Sequence, residues 1–207
     1  MMKFKCLFAI LLFGCNEKEA NEKIPLQINQ DAVAGKKEVI VLVQPFSDFP
    51  EKKAEFVYEK LKLYYPATQL LSSIPLPQSS YYKPRNRYRA DSLIAFLKSR
   101  TGKGQIIVGL TSKDISTTKG RFNDFGIFGL GFMNGPSCII STFRLKNNDQ
   151  LFKTVIHELG HNFGLPHCAQ KTCFMRDAEG KNPLDEETGF CNSCTKKLIT
   201  EGWLLKK

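Results

Sequence analysis

One run constrains this chain more than any other: His157-Glu158-Leu159-Gly160-His161-Asn162-Phe163-Gly164-Leu165-Pro166-His167. Histidines at i and i+4 stand one turn apart on a helix face, so both imidazoles can reach one metal ion. Gly164 can take the left-handed conformation that ends a helix, and the chain can then turn back to deliver His167. Three histidine ligands leave the fourth tetrahedral position to water or substrate, the arrangement of a catalytic zinc site. Glu158 is the neighbour that can take a proton from a water held there. Five fixed residues at these spacings arise by chance in roughly one chain in 10⁵, and the chain has only the three histidines of this run. The helical wheel agrees: at about 100° per residue, Phe152, Ile156, Leu159 and Phe163 share one side. His157 and His161 fall on the opposite side, toward a cleft rather than a core.

Four cysteines follow, as Cys168-x₄-Cys173 and Cys191-x₂-Cys194. The paired spacing is close to that of a four-thiolate structural zinc site. Two disulfides are the competing reading for a protein that leaves the cytoplasm. The tight Cys191–Cys194 loop suits tetrahedral ligation better than a bridge. Either construction lies beside His167 and would hold that ligand in place. Cys138, in an apolar run, reads as a small buried hydrophobe.

The remaining pattern predicts an α/β fold. Val39–Val43 is an unbroken β-branched run, as in a strand buried on both faces. Ala54, Val57, Tyr58 and Leu61 recur at helical spacing within Glu51–Tyr65. Thr68–Pro75 reads as a second strand and Gln105–Leu110 as a third. Ala90, Leu93, Ile94 and Leu97 mark a second helix, and a third runs from about Asp149 to Gly164. Ile127–Met133 and Ser137–Phe143, separated by Asn134-Gly135, read as a hairpin. Strands alternating with helices imply layers around one sheet, made mixed and twisted by the hairpin. Ser137–Phe143 is the expected exposed edge for an extended substrate.

The first residues read as an address. Lys3 and Lys5 precede the apolar run Cys6–Phe13, which is shorter than the ~20 residues of a spanning helix and fits a secretory signal. Leu12-Phe13-Gly14-Cys15 resembles the bacterial lipobox, whose cysteine is lipidated and becomes the new N-terminus. The organisation expected is a signal peptide at 1–14, a polar tether at 15–36 and one catalytic domain at 37–207. This places the protein in the bacterial cell envelope, anchored to the membrane by lipid at Cys15. Its net charge of +10 is scattered rather than blocked and assigns no partner. Tyr81–Arg89 interleaves basic and aromatic residues, as nucleic-acid grooves can. Nothing else in the chain supports that function, so the segment reads as a solvated loop and no nucleic-acid partner is expected. A monomer is expected.

The chain resembles the archaemetzincins, metzincin-clan zinc metallopeptidases. The resemblance rests on HELGHNFGLPHC, on Cys168-x₄-Cys173-Phe174-Met175 and on the distal Cys191-x₂-Cys194. It extends upstream to Tyr88-Arg89-Ala90-Asp91, Gly109–Asp114 and Ser141–Leu145. It implies a single metzincin-like domain acting on peptide or protein substrates, with a catalytic zinc on His157, His161 and His167 and Glu158 as general base. It also implies a second, structural zinc on Cys168, Cys173, Cys191 and Cys194, and a tight turn that sets Met175 beneath the histidines. The leader is unlike that of the family's cytosolic members.

Overall fold

The computed structural model describes residues 39–205. The signal peptide, Cys15 and the whole of the tether assigned above lie outside them. The apolar run near the start forms β1 (Ile40–Pro45), buried along five of its six residues. A strand buried on both faces needs a neighbour on each edge and a layer on each side, and β1 has all four. It pairs in parallel with β2 (Thr68–Leu70) and with β5 (Gln105–Thr111), Leu42 standing opposite Ile107. β9 (Ser137–Ser141) adds in parallel to β5, and β8 (Gly129–Gly131) folds back antiparallel on β9. The resulting sheet is mixed, in the order β2-β1-β5-β9-β8.

The period-two alternation of β1 sorts the helices. Val41 and Val43 face α1 (Glu51–Tyr64) and α3 (Asn148–Asn162), in one apolar cluster with Val57, Leu61, Val155 and Leu159. Leu42 points the other way, toward Leu93 and Leu97 of α2 (Ala90–Lys98). Each fully buried side chain of this kind contributes about 1.5–3 kcal/mol. Phe152, Ile156, Leu159 and Phe163 are buried as the wheel predicts, and Cys138 is fully enclosed in β9.

Four expectations are corrected. The sheet is not alone: β3 (Tyr81–Tyr82), β4 (Arg87–Arg89), β6 (Ile115–Lys119) and β7 (Phe122–Ile127) form a second sheet, in the order β3-β4-β6-β7. Tyr81–Arg89 is therefore not a solvated loop. Arg87 is tied inward, to Asp114 at 2.7 Å and to Asp124 at 3.0 Å, while residues 83–86 between β3 and β4 stay exposed. Finally, Ser137–Phe143 is not an edge. β9 lies between β5 and β8, so the exposed edge is β8. The second strand is also shorter than predicted, with Ile74 rejoining only through a single bridge to Phe46.

Among the described residues no helix is long and apolar enough to cross a membrane.

Candidate metal centre

Helix α3 begins at Asn147, whose side chain accepts a hydrogen bond from the Gln150 N–H at 2.9 Å and satisfies one orphan donor of the first turn. The helix ends at Gly164, where φ is +81°, and Lys197 donates to the Gly164 carbonyl. The chain reverses there and brings His167 back over the helix. The ring centroids of His157, His161 and His167 then lie 4.8 to 5.4 Å from one another.

The tautomers follow from the acceptors behind each ring. His157 Nδ1 donates to the Phe174 carbonyl at 2.6 Å, and His161 Nδ1 to the Leu165 carbonyl at 2.7 Å. A carbonyl oxygen only accepts, so these nitrogens carry the protons and both Nε2 atoms carry lone pairs. Those Nε2 atoms face one another at 3.2 Å. Two acceptors have no reason to approach so closely unless a cation lies between them. With Zn–N bonds near 2.0–2.1 Å, the edge of a tetrahedral zinc site is about 3.3–3.4 Å. His167 Nδ1 lies 3.5 Å from Asp177 Oδ2, giving the third ring a charged partner. Ligand atoms of the three histidines all fall within 4.8 Å of one another. Burial, with the field of His161 added, lowers the His157 pKa to about 4, and burial lowers that of His161 as well. Both rings are thus neutral at pH 7, as a ligand must be. The donor set fits zinc.

Glu158 is buried next to these rings and lines the same cleft, whose volume is about 770 Å³. Burial pushes its pKa up to about 8, against a backbone hydrogen bond from Gly131. The backbone of β8 lies directly against the carboxylate. Met175 is fully buried beneath the helix, and its sulfur is where a Cβ on Gly160 would be, 2.5 Å away.

The four cysteines converge separately. They are free thiols, with Cys168 Sγ 3.7 Å from Cys191 Sγ and Cys173 Sγ 3.8 Å from Cys194 Sγ. A tetrahedral site with Zn–S bonds of 2.3 Å has edges of about 3.8 Å. N–H groups already point at the sulfurs, from Gln170 to Cys168 and from Cys191 to Cys173. This set also fits a zinc ion and does not have the geometry of two bridges. Cys194 and Cys191 sit on and just before α4 (Asn192–Ile199), whose other buried anchor is Leu198.

All seven ligand candidates read from the sequence are thus brought into two sets. The sequence reading did not find the groups behind them: the carbonyls of Phe174 and Leu165, the Asp177 carboxylate, and Gly129 and Gly131 against Glu158. Backbone acceptors leave no side-chain signal. The two glycines were visible, inside Gly129-Leu130-Gly131, but only as part of a hairpin.

A helix with two imidazoles and a buried glutamate, a returning third imidazole and an adjoining sheet edge define a zinc metallopeptidase. Peptidase family M54 matches residues 36–200. The chain is 32% identical over 139 residues to an archaemetzincin of Haloquadratum walsbyi, covering 59% of this chain and 78% of that protein. It is 28% identical to an archaemetzincin of Methanocaldococcus jannaschii over 78% of this chain and 94% of that one. The crystal structure of archaemetzincin from Methanopyrus kandleri superposes with a TM-score of 0.67 at 24% identity, over 84% of this chain and 98% of its own. The malonate complex of the Archaeoglobus fulgidus protein gives the same score at 23% identity, over 77% of this chain and 99% of its own. The chain belongs to peptidase family M54, the archaemetzincins.

Proposed function

We propose that this chain hydrolyses peptide bonds, with His157, His161 and His167 holding a catalytic zinc and Glu158 acting as general base. The observation that carries the reading is the convergence of neutral imidazole Nε2 atoms beside a buried carboxylate in an open cleft. Zinc, when bound, supplies a Lewis acid for the scissile carbonyl and lowers the pKa of a water toward about 7. Glu158, beside a divalent cation, is driven toward its ionised form against the burial that raises its pKa. It then takes the proton of the attacking water and passes it to the departing amine. The outer edge of β8 offers backbone groups to an extended peptide lying along the cleft, the role first expected of Ser137–Phe143. Cys168, Cys173, Cys191 and Cys194 hold a second, structural zinc in this reading.

Anchoring in the cell envelope through Cys15 belongs to the same proposal and rests on the leader sequence. If it holds, Cys15→Ser moves the protein from the membrane to the soluble fraction.

The deciding experiment is a peptide-library digest read by mass spectrometry, with wild type beside Glu158→Gln at equal zinc loading. Cleavage by wild type alone is the expected result. Equal cleavage by both would remove Glu158 from the mechanism. No cleavage by either would make the protein a zinc-dependent peptide binder.

A further inference from the structure

The cleft contains a second buried carboxylate that the hydrolytic chemistry does not use. Glu187 is 2% exposed, yet it lines the same cavity as Thr154, His157 and Leu184. Its Oε2 is fully buried and meets no hydrogen-bond partner. A buried carboxylate without a partner is costly, and burial raises its pKa to about 7.

The fields of Lys153 and Arg176 reach Glu187 and partly offset its burial, but the nearby cations make their hydrogen bonds and ion pairs elsewhere. Lys153 donates to the Leu184 carbonyl at 2.8 Å and pairs with Asp149 at 2.8 Å. Arg176 pairs with Glu186 at 2.6 Å and also donates to the Lys171 carbonyl. Lys181, on the same loop, acts on Glu186. Arg144, also in the cleft wall, pairs with Asp114. The Thr154 hydroxyl is spent on the Gln150 carbonyl at 2.9 Å.

The position of this pocket relative to the metal follows from helix geometry. Thr154 precedes His157 by three residues on α3, close to one turn, which is about 5.4 Å of rise. A group resting against Thr154 and Glu187 therefore belongs to a residue beside the scissile bond. Leu184 and Pro183 supply apolar wall, which suits the methylene stem of a long side chain whose charged head goes deeper.

We infer that Glu187 makes this subsite select a substrate residue with a cationic side chain, lysine or arginine, next to the scissile bond. The inference rests on the peptidase reading above for what the cleft holds, but its test does not need turnover.

The test measures binding of fluorescent, N-acetylated peptides to zinc-loaded Glu158→Gln protein, comparing lysine with its neutral analogue norleucine at each position in turn. Lysine at one position should bind at least tenfold tighter than norleucine. Glu187→Gln in the same background should abolish that difference, with zinc content and melting temperature checked in parallel. Equal affinities for lysine and norleucine would overturn the inference, as would a preference that survives Glu187→Gln. A preference seen only with unacetylated peptides would assign Glu187 to the α-ammonium group and overturn the side-chain subsite. Wild-type protein that cleaves no peptide yet keeps the Glu187-dependent preference would refute the peptidase function and leave the subsite standing.

Discussion

A Cβ placed on residue 129 would come within 2.8 Å of both Cγ and Oε1 of Glu158, so the absent side chain of one residue is the seat of the other. The edge strand is shaped to hold the carboxylate against its backbone. Gly129→Ala must push Glu158 aside, and a misplacement of about 1 Å at a reacting group costs on the order of 10²-fold. We expect kcat/KM to fall by roughly 10- to 100-fold while zinc content stays unchanged. An alanine variant with full activity would mean that Glu158 has another resting place.

The two ligand sets should empty independently of fold class but not of stability. His157→Ala should reduce zinc from two ions per chain to one. Cys194→Ser should also remove one ion and lower the melting temperature markedly, because α4 is held chiefly by Cys194 and Leu198. Metal analysis of the purified proteins reads both results; unchanged zinc in either variant would discard that ligand.

Among the described residues, Asp177 is the only carboxylate paired with a ligand histidine, 3.5 Å from His167 Nδ1. Partners of this kind orient the ring and raise its basicity, and their loss typically weakens metal binding 10- to 100-fold. Asp177→Asn should therefore release zinc to a competing chelator at correspondingly lower chelator concentration. Affinity equal to that of wild type would show that the turn alone positions His167.

Glu187 gives stability a particular pH dependence. Its pKa is about 7 in the folded chain against 4.5 for the unperturbed group. Between those values the folded state binds more protons than the unfolded one, so this contribution to stability falls as pH rises from about 4.5 to about 7 and is level above. Glu187→Gln should be neutral near pH 4.5 and stabilising at pH 8, by roughly 1–3 kcal/mol. Urea titrations of the ligand-free protein at the two pH values would reveal the difference, and a variant no more stable at pH 8 would contradict the sign.

The basic segment of the second sheet should matter for folding rather than for binding. Arg87 bridges Asp114 and Asp124, whose side chains are only 9% and 11% exposed. Removing Arg87 leaves Asp114 with Arg144 and Asp124 with its longer contacts to Arg85 and Arg89. Such a partial break costs about 2 kcal/mol, below the roughly 3–5 kcal/mol of a buried pair broken completely. Arg87→Ala should lose about 2 kcal/mol of stability in a denaturant titration; a loss below about 1 kcal/mol would make the network ornamental.

These residues also show where sequence reading succeeded and where it stopped. The histidine run, α1, α2, α3, β1 and β5 were legible because their own residues carry the signal, as fixed motif spacing, a helical period or an unbroken apolar run, without reference to partners such as β5 for β1. Arg87-Tyr88-Arg89 and Phe122–Ile127 carry no such pattern. Arg87–Arg89 is held as a strand by distant partners, β6 and the carboxylates of Asp114 and Asp124, and Phe122–Ile127 by its antiparallel pairing with β6. The edge position was misassigned for a related reason. Apolar content marks β9 as a strand, but only the return of the glycine-bearing segment 129–131 decides which strand is outermost. Helix α4 escaped notice because its eight residues bury only Cys194 and Leu198, too few to write a period.

His167 and Cys168 are joined by one peptide bond, and the Cys168 N–H donates to the Met175 carbonyl at 2.7 Å, directly under the active-site helix. An ion held by either set therefore restricts the same few backbone torsions that the other set must also fix. Order supplied once does not have to be supplied again, and the resulting advantage is the same in both directions. In the two-zinc reading proposed above, filling one set therefore favours filling the other. On that reading a shortage of metal is felt at the histidines through the cysteine set as well as directly.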